Sequence, residues 1–142
     1  MKNEIILAAE KELEIRFSDV DMMGVVWHGT YVKYLEDARE AFGVKYGLSY
    51  TTYIVEYTFA PIVELIINYK KPLKYGMRPV IKITYRPTEA AKIIFDYEVY
   101  DPNNGGLYLK ASSVQVFMDR NYNLLWESPK FYEAWKKQMG LL

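Results

Sequence analysis

The side chains most able to do chemistry are concentrated in one stretch of the 142-residue chain, residues 16–29. A helix is predicted directly after it, and the first N–H groups of a helix lack internal partners and favour negative charge. A carboxylate near such N–H groups can activate water or attack a carbonyl while they stabilise the oxyanion. The pattern therefore favours acyl transfer or hydrolysis at a polarised carbonyl. The residues concerned are Asp19, Asp21, Gly24, His28 and Gly29, and His28 is the single histidine of the chain.

Other interpretations of these residues remain open. Asp19 and Asp21 are also common turn formers, because an aspartate side chain readily bonds nearby backbone groups. An Asp-x-Asp metal site is a further possibility, although no other carboxylate or histidine lies within several residues. His28 taken alone is more often structural than catalytic. A basic cluster further along the chain is either a solvated surface or a phosphate site, and it comprises Lys70, Lys71, Lys74 and Arg78.

The composition excludes several classes of protein. Hydrophobic residues make up 51% of the chain and aromatic residues 16%, which predicts one compact domain spanning 1–142. Eighteen basic residues balance 18 acidic ones, so a broad nucleic-acid-binding surface is not expected. The lack of cysteine excludes disulfides, thiolate metal sites and cysteine nucleophiles, and we expect no metal. Without a targeting segment or a long apolar run, a cytoplasmic protein with no membrane span is expected.

Hydrophobic periodicity predicts an α+β fold, with one strand and one long helix followed by a run of antiparallel strands. Leu13, Ile15 and Phe17 alternate with charged residues, which predicts a first strand at 10–17. Apolar residues at helical spacing predict the long helix at 30–46, which ends at Gly47. Five or six strands are then predicted, at 50–59, 62–71, 79–87, 92–100, 107–118 and, for a short one, 123–126.

Three local patterns add to this arrangement. Residues 101–106, Asp-Pro-Asn-Asn-Gly-Gly, are typical of a hairpin turn. Ser128 as N-cap and Pro129 in the first turn predict a short C-terminal helix to about Gln138. The nearly continuous apolar run at 62–67 predicts a strand buried on both faces. One helix cannot cover both faces, so we expect a dimer or higher oligomer.

A longer block carries a family resemblance. Residues 19–28, Asp-Val-Asp-Met-Met-Gly-Val-Val-Trp-His, are followed by Tyr31-Val32 and by Glu36-Asp37-Ala38-Arg39. This block closely resembles the signature of the 4-hydroxybenzoyl-CoA thioesterase-like family of hotdog-fold proteins. Weaker likenesses at 69–76 and 111–119 extend the resemblance to about 10–127. It implies a hotdog fold, in which a five- to six-stranded antiparallel sheet wraps a long central helix, built as a homodimer or homotetramer.

The resemblance also implies an activity, hydrolysis of an acyl-CoA thioester with no cofactor. The position of Asp21 matches the family's general base or nucleophile, and Gly24 matches its turn glycine. The backbone N–H at His28, with Gly29 beside it, matches the donor that polarises the thioester carbonyl. In the bacterial acyl-CoA thioesterase subgroup this position is also a histidine, so the His28 side chain is a second catalytic candidate. The chain departs from some members at Phe17, where they carry a tyrosine.

The substrate-binding residues are less closely defined by the sequence. Aromatic side chains around Tyr57 and Phe59, including Tyr50 and Tyr53, and Met22 suit either an aromatic or a fatty acyl group. For the CoA phosphates, the candidates are Lys70, Lys71, Lys74 and Arg86 near the expected subunit boundary. Two alternative functions stay open: an acyl-ACP thioesterase and a non-catalytic hotdog protein that binds acyl thioesters.

Overall fold

A computed structural model describes residues 4–142. Residues 1–3, which belong to the predicted domain and to the segment expected to carry no targeting signal, lie outside the described residues. No helix in the described part is long and apolar enough to cross a membrane. The elements in chain order are β1 (Ala8–Glu12), α1 (Tyr31–Tyr46), α2 (Tyr50–Val55), β2 (Ile62–Tyr69), β3 (Val80–Arg86), β4 (Lys92–Tyr100), β5 (Leu107–Val116) and α3 (Lys130–Gln138).

The five strands form one antiparallel sheet in the order β1-β3-β4-β5-β2. The predicted hairpin at 101–106 is confirmed, since it joins β4 to β5 with Lys92 opposite Val116. Gly105 in this loop has φ 71°, a backbone conformation that favours glycine. The order leaves β1 and β2 as the two edge strands.

Helix α1 packs across β1 and β3 and confirms the long predicted helix. Phe42 sits at the centre of this contact, with its ring centroid 4.8 Å from that of Phe95 on β4. Gly47 ends the helix with φ 77° and donates its N–H to Gly43, as a left-handed C-cap does. The predicted apolar stripe is largely buried, at Tyr31, Tyr34, Leu35, Ala38 and Phe42.

Two predicted strands are wrong. The stretch predicted as a strand at 50–59 forms helix α2, although its β-branched and aromatic residues favour strands. Packing overrides that preference, because the Tyr53 ring lies against Phe131 of α3, with centroids 5.9 Å apart. At 123–126 only a single bridge joins Leu124 to Met118, and the chain instead turns around Asp119.

Two boundaries also differ from the prediction. Strand β1 spans Ala8–Glu12 instead of 10–17, and the Leu13 N–H still donates to the Pro79 carbonyl at 2.8 Å just beyond its end. Phe17 is exposed and starts a short 3-10 turn instead of ending the strand. The N-cap of α3 is Pro129, not Ser128, and its carbonyl accepts the first helical hydrogen bond.

Strand β2 is exposed within one protomer, so the predicted burial of both of its faces still depends on the predicted oligomer. Val63 is 58% exposed and Ile66 47% exposed. The reason is its place at the sheet edge, where only β5 pairs with it.

Candidate active site

Asp21 lies at the tip of a small hairpin between β1 and α1. Val20 pairs with Val26, and the Asp21 N–H donates to the Val25 carbonyl at 2.8 Å. The Gly24 N–H donates to the Asp21 carbonyl at 3.0 Å and closes a four-residue turn. Gly24 has φ 76°, which explains the requirement for glycine at this point.

The hairpin is held against a neighbouring segment, and this fixes the direction of the Asp21 side chain. The Val26 N–H donates to Leu73 at 2.8 Å, and the Tyr75 N–H donates to Gly24 at 3.2 Å. One carboxylate oxygen of Asp21 accepts the N–H of Met23 at 2.8 Å, so Asp21 does serve as a turn former. Its other oxygen has no partner in the described part of the chain, which leaves it available to a substrate or water.

Asp19 has a different environment, although it is only two residues away. Its side chain is 4% exposed, and Oδ2 accepts the Arg16 N–H at 2.9 Å and the Tyr34 hydroxyl at 3.0 Å. Its carbonyl oxygen accepts the Trp27 N–H at 2.9 Å and the Thr30 hydroxyl at 3.3 Å. Asp19 therefore fixes the loop to the first turn of α1.

The hydroxyl of Tyr34 is a reliable donor in this contact. Burial, followed by the hydrogen bond to Asp19, raises the pKa of Tyr34 well above its ordinary value. The hydroxyl thus stays protonated over the physiological range. Lys33 adds a cation 4.0 Å from the other Asp19 oxygen, so the buried carboxylate is both bonded and neutralised.

Two backbone N–H groups are free where α1 begins. A turn closed by the Thr30 N–H on the Trp27 carbonyl, at 2.9 Å, has His28 and Gly29 at its centre. Within the described residues, neither central N–H has an acceptor. The His28 carbonyl is held in place because it accepts the Tyr69 hydroxyl at 2.8 Å. A Cβ at Gly29 would come within 2.2 Å of the Trp27 ring, so glycine allows that ring to cover the turn.

The hairpin ladder links the carboxylate to these N–H groups. At the tip of the hairpin the Asp21 N–H donates to the Val25 carbonyl. Two residues before Asp21, the Asp19 carbonyl accepts the N–H of Trp27, the residue that precedes His28. The carboxylate and the free N–H groups therefore belong to one hydrogen-bonded loop before α1.

A cavity of about 250 Å³ opens beside the start of α1. It brings the predicted catalytic residue His28 together with two of the predicted phosphate-binding residues, Lys70 and Lys71. Tyr31 and Tyr69 form its aromatic wall, with ring centroids 5.2 Å apart. The cavity therefore combines His28, two cations and an aromatic wall.

A larger cavity of about 710 Å³ lies between α1, α2 and the sheet. Phe59 lines it, as do Tyr50 and Tyr53. Tyr57 lies next to its rim, where the Arg120 guanidinium stands 5.5 Å from the Tyr57 ring and 4.4 Å from the Phe59 ring. The cavity thus gathers most of the aromatic residues expected to bind the acyl group.

Several residues identified from the sequence line neither cavity, among them Asp21, Gly24, Gly29 and Tyr57. Arg86 is paired with Asp96 on the neighbouring strand, with 3.0 Å between Nε and Oδ2, so its charge is neutralised there. Lys74 and Met22 also line neither cavity, and the Met22 side chain is fully exposed. Within residues 4–142 no three histidine or acidic side chains are placed to share a metal ion.

Sequence reasoning missed the polar residues of the larger cavity, among them Arg39, Gln115 and Arg120. Arg39 belongs to the block that carries the family resemblance, but its type and spacing gave it no role. The cavity itself depends on α2, which the sequence pattern predicted as a strand. No signal in the sequence could therefore have grouped these side chains.

A long helix packed on a five-stranded antiparallel sheet, with an aspartate-bearing hairpin before the helix, defines the class of hotdog proteins. A family model described as the thioesterase-like superfamily matches residues 15–136. The chain belongs to this superfamily, and the predicted hotdog fold is confirmed.

Three similar proteins illustrate the relationship. The chain is 32% identical over 112 residues to "Putative acyl-CoA thioesterase YneP" of Bacillus subtilis, which covers 79% of this chain and 80% of that protein. It is 29% identical over 113 residues to the acyl-acyl carrier protein thioesterase ATL3 of Arabidopsis thaliana, covering 80% of this chain and 60% of ATL3. The structure of a DHNA-CoA thioesterase from Staphylococcus aureus superposes with a TM-score of 0.76 at 25% identity, covering 94% and 92% of the two chains.

Proposed function

We propose that this protein hydrolyses acyl-CoA thioesters to a free acid and CoA, without a metal or other cofactor. The observation that carries this proposal is the free carboxylate oxygen of Asp21 on the same rigid loop as the unbonded N–H groups of His28 and Gly29. The names of YneP and of the Staphylococcus aureus enzyme support acyl-CoA as the substrate class.

In the general-base route, Asp21 takes a proton from a water molecule as the water oxygen attacks the thioester carbonyl. Negative charge develops on the carbonyl oxygen, where the N–H groups of His28 and Gly29 stabilise it. The intermediate then expels the CoA thiolate, which takes up a proton. The His28 side chain is exposed at the mouth of the smaller cavity, where it can orient the substrate or the water.

In the nucleophilic route, the free oxygen of Asp21 attacks the carbonyl and forms a mixed anhydride that water then hydrolyses. A single turnover in heavy-oxygen water detects the nucleophilic route when water attacks the Asp21 carbonyl of the anhydride, whereas attack at the acyl carbonyl gives the same labelled acid as the general-base route. The general-base route places the heavy oxygen in the product acid. Hydrolysis of an anhydride at the Asp21 carbonyl leaves it on Asp21, where peptide mass spectrometry detects it.

The edge strand β2 supports a homodimer as the active form. Eight residues long and largely apolar, it leaves one side of its backbone unpaired, and such edges associate with another strand. The opposite edge, β1, has five residues and carries the charges of residues 10–12, which discourages pairing. We therefore propose that β2 pairs antiparallel with β2 of a second copy about a twofold axis. A homotetramer would then form from two such dimers.

Antiparallel pairing of β2 would also complete the active site. The Tyr69 end of β2 lies by the smaller cavity, through its bond to His28, and the Ile62 end lines the larger cavity. In the proposed dimer the Tyr69 end of one protomer meets the Ile62 end of the other. The thioester-cleaving loop of one protomer would thus face the aromatic cavity of its partner.

The carrier attached to the acyl group is either CoA or an acyl carrier protein. Lys70 and Lys71 at the smaller cavity supply two cations for the phosphates of CoA. The name of ATL3 favours the alternative, an acyl carrier protein that would meet the same lysines with its phosphopantetheine arm. Turnover of matched acyl-CoA and acyl-ACP substrates decides between the two, and we expect faster hydrolysis of acyl-CoA.

The test of the function is a panel of acyl-CoA thioesters that differ in chain length and aromaticity, assayed for release of free thiol. We expect turnover of at least one class well above the uncatalysed rate. Tight binding of thioesters without thiol release from any of them would instead identify a non-catalytic binding protein.

A further inference from the structure

The larger cavity contains a guanidinium that thioester cleavage leaves without a role. Arg39 lies in the middle of α1, half-buried, and its Nη1 donates to the Tyr97 hydroxyl at 3.1 Å. Its remaining N–H groups have no acceptor in the described part of the chain, and no carboxylate there comes within 4.0 Å of them. The cavity wall therefore carries several unused donors.

A buried pair of hydroxyls holds Arg39 in place. The Tyr97 hydroxyl lies 2.6 Å from Ser113 Oγ, and both side chains are almost completely buried. Burial raises the pKa of Tyr97, so its hydroxyl stays neutral beside the guanidinium. A charged group with a fixed position in a mostly apolar cavity is a strong and directional donor.

Arg39 is not required to satisfy that buried pair. Tyr97 and Ser113 already bond each other, and no buried side-chain nitrogen or oxygen in residues 4–142 lacks a partner. A purely structural role for Arg39 would also leave its unused donors unexplained. These donors point to a ligand group that enters the cavity.

The charges around the cavity indicate what kind of group this is. Glu36 and Glu40 line the same wall as Arg39, and Arg120 stands at the rim. Two carboxylates balance two guanidinium groups, so the cavity has no net positive charge to attract an anion. A neutral oxygen, such as a hydroxyl or a carbonyl, accepts a hydrogen bond without that restriction.

We infer that Arg39 is a specificity-determining residue that selects acyl groups bearing a neutral oxygen substituent over all-carbon acyl groups of the same size. The inference rests on the proposed function, with the larger cavity as the acyl site. An all-carbon group would displace water from the guanidinium without replacing its hydrogen bonds. A hydrogen bond to a charged group corresponds to a preference of about tenfold to a hundredfold in kcat/KM for the oxygen-bearing acyl group.

The test compares kcat/KM within two matched pairs of substrates. One pair is phenylacetyl-CoA and 4-hydroxyphenylacetyl-CoA, and the other is decanoyl-CoA and 10-hydroxydecanoyl-CoA, so that ring and chain acyl groups are separated. Wild type should prefer the hydroxylated member of at least one pair. Arg39→Met, which keeps the length but removes the donors, should reduce that preference about tenfold or more, and Arg39→Lys should reduce it less. Arg78→Met is the matched control, because Arg78 pairs with Glu12 on the surface outside both cavities.

A second measurement makes the inference independent of catalysis. Calorimetry gives the affinity of wild type and Arg39→Met for the free acids of both pairs. If no thioester is cleaved, the proposed function fails, but a preference for the hydroxylated acids that Arg39→Met loses still supports the role of Arg39. Equal hydroxyl preference in wild type and a folded Arg39→Met variant, in rate or in affinity, would overturn it. If Arg39→Met does not fold, the hydroxyl preference of Arg39→Lys is compared with that of wild type instead, and equal preferences would overturn the inference.

Discussion

Asp19 and Asp21 are two positions apart but have different environments, because the Asp19 side chain is buried against Tyr34 while Asp21 keeps one carboxylate oxygen without a partner in the described residues. The residue types and their spacing predicted a reactive loop. They also allowed the alternative that both aspartates are turn formers. The buried aspartate could not be distinguished from the sequence, because its burial depends on Tyr34, fifteen residues further along the chain. Long-range partners of this kind leave no local pattern.

The contact between Tyr34 and Asp19 gives a prediction for stability. Tyr34→Phe removes the hydroxyl donor and leaves a buried carboxylate less satisfied, which costs about 1–3 kcal/mol. Urea unfolding of wild type and variant measures the difference. Tyr50→Phe is the matched control, since the Tyr50 ring is largely exposed. Equal unfolding free energies for Tyr34→Phe and wild type would contradict the positioning role of Asp19.

The two possible contributions of His28 can also be separated. His28→Ala removes the imidazole but keeps the backbone N–H that faces the proposed oxyanion, so we expect a loss in kcat of less than about tenfold. We expect this small loss because the backbone N–H is retained. Loss of an oxyanion-hole donor itself lowers kcat by about a hundredfold or more. Steady-state kinetics measure it. A loss as large as that from removing the Asp21 carboxylate, at an unchanged melting temperature, would make the imidazole a principal catalyst.

Among the elements, α1, β3, β4, β5 and α3 follow the sequence prediction closely, because their hydrophobic periods are long and regular. Helix α2 does not, since its six residues are too few to establish a period and Tyr53 is held by tertiary contacts. The turn at Asp119 also replaced a predicted strand. Both exceptions border the larger cavity, so the sequence predicted the elements around the loop before α1 better than those around the larger cavity.

The turn at Asp119 provides a pH-dependent prediction. Its carboxylate accepts the Asn123 and Asn121 N–H groups, both at 2.9 Å, and these bonds hold the pKa of Asp119 below its usual value. A depressed folded pKa stabilises the protein above the unfolded pKa of about 3.9, and the effect is lost as the pH falls through the folded pKa. Asp119→Ala should lower the melting temperature at neutral pH, and the gap from wild type should narrow in acid. A gap that is constant with pH would contradict this assignment.

The whole molecule is expected to be a dimer, since the apolar edge strand is stable only when it is covered. Analytical ultracentrifugation should give about twice the 16.7 kDa of one chain, or a higher multiple. Ile66→Lys places a charge in the middle of β2 and should shift the protein towards the monomer. Val44→Lys is the control, because Val44 is exposed on the outer side of α1 and should not affect association. A wild-type monomer at 16.7 kDa would rule out the β2 interface.

The proposed reaction depends on the Asp21 carboxylate, and its most direct test is the rate of thiol release by Asp21→Asn. The substitution keeps the shape of the side chain and its bond to Met23 but removes the base or nucleophile. Asp37→Asn makes the same chemical change at an exposed position on α1 and serves as the control. We expect Asp21→Asn to lose about 10²–10⁴-fold in turnover of the best acyl-CoA substrate, at an unchanged melting temperature, while Asp37→Asn keeps the wild-type rate. Near wild-type turnover by Asp21→Asn would contradict the proposed mechanism.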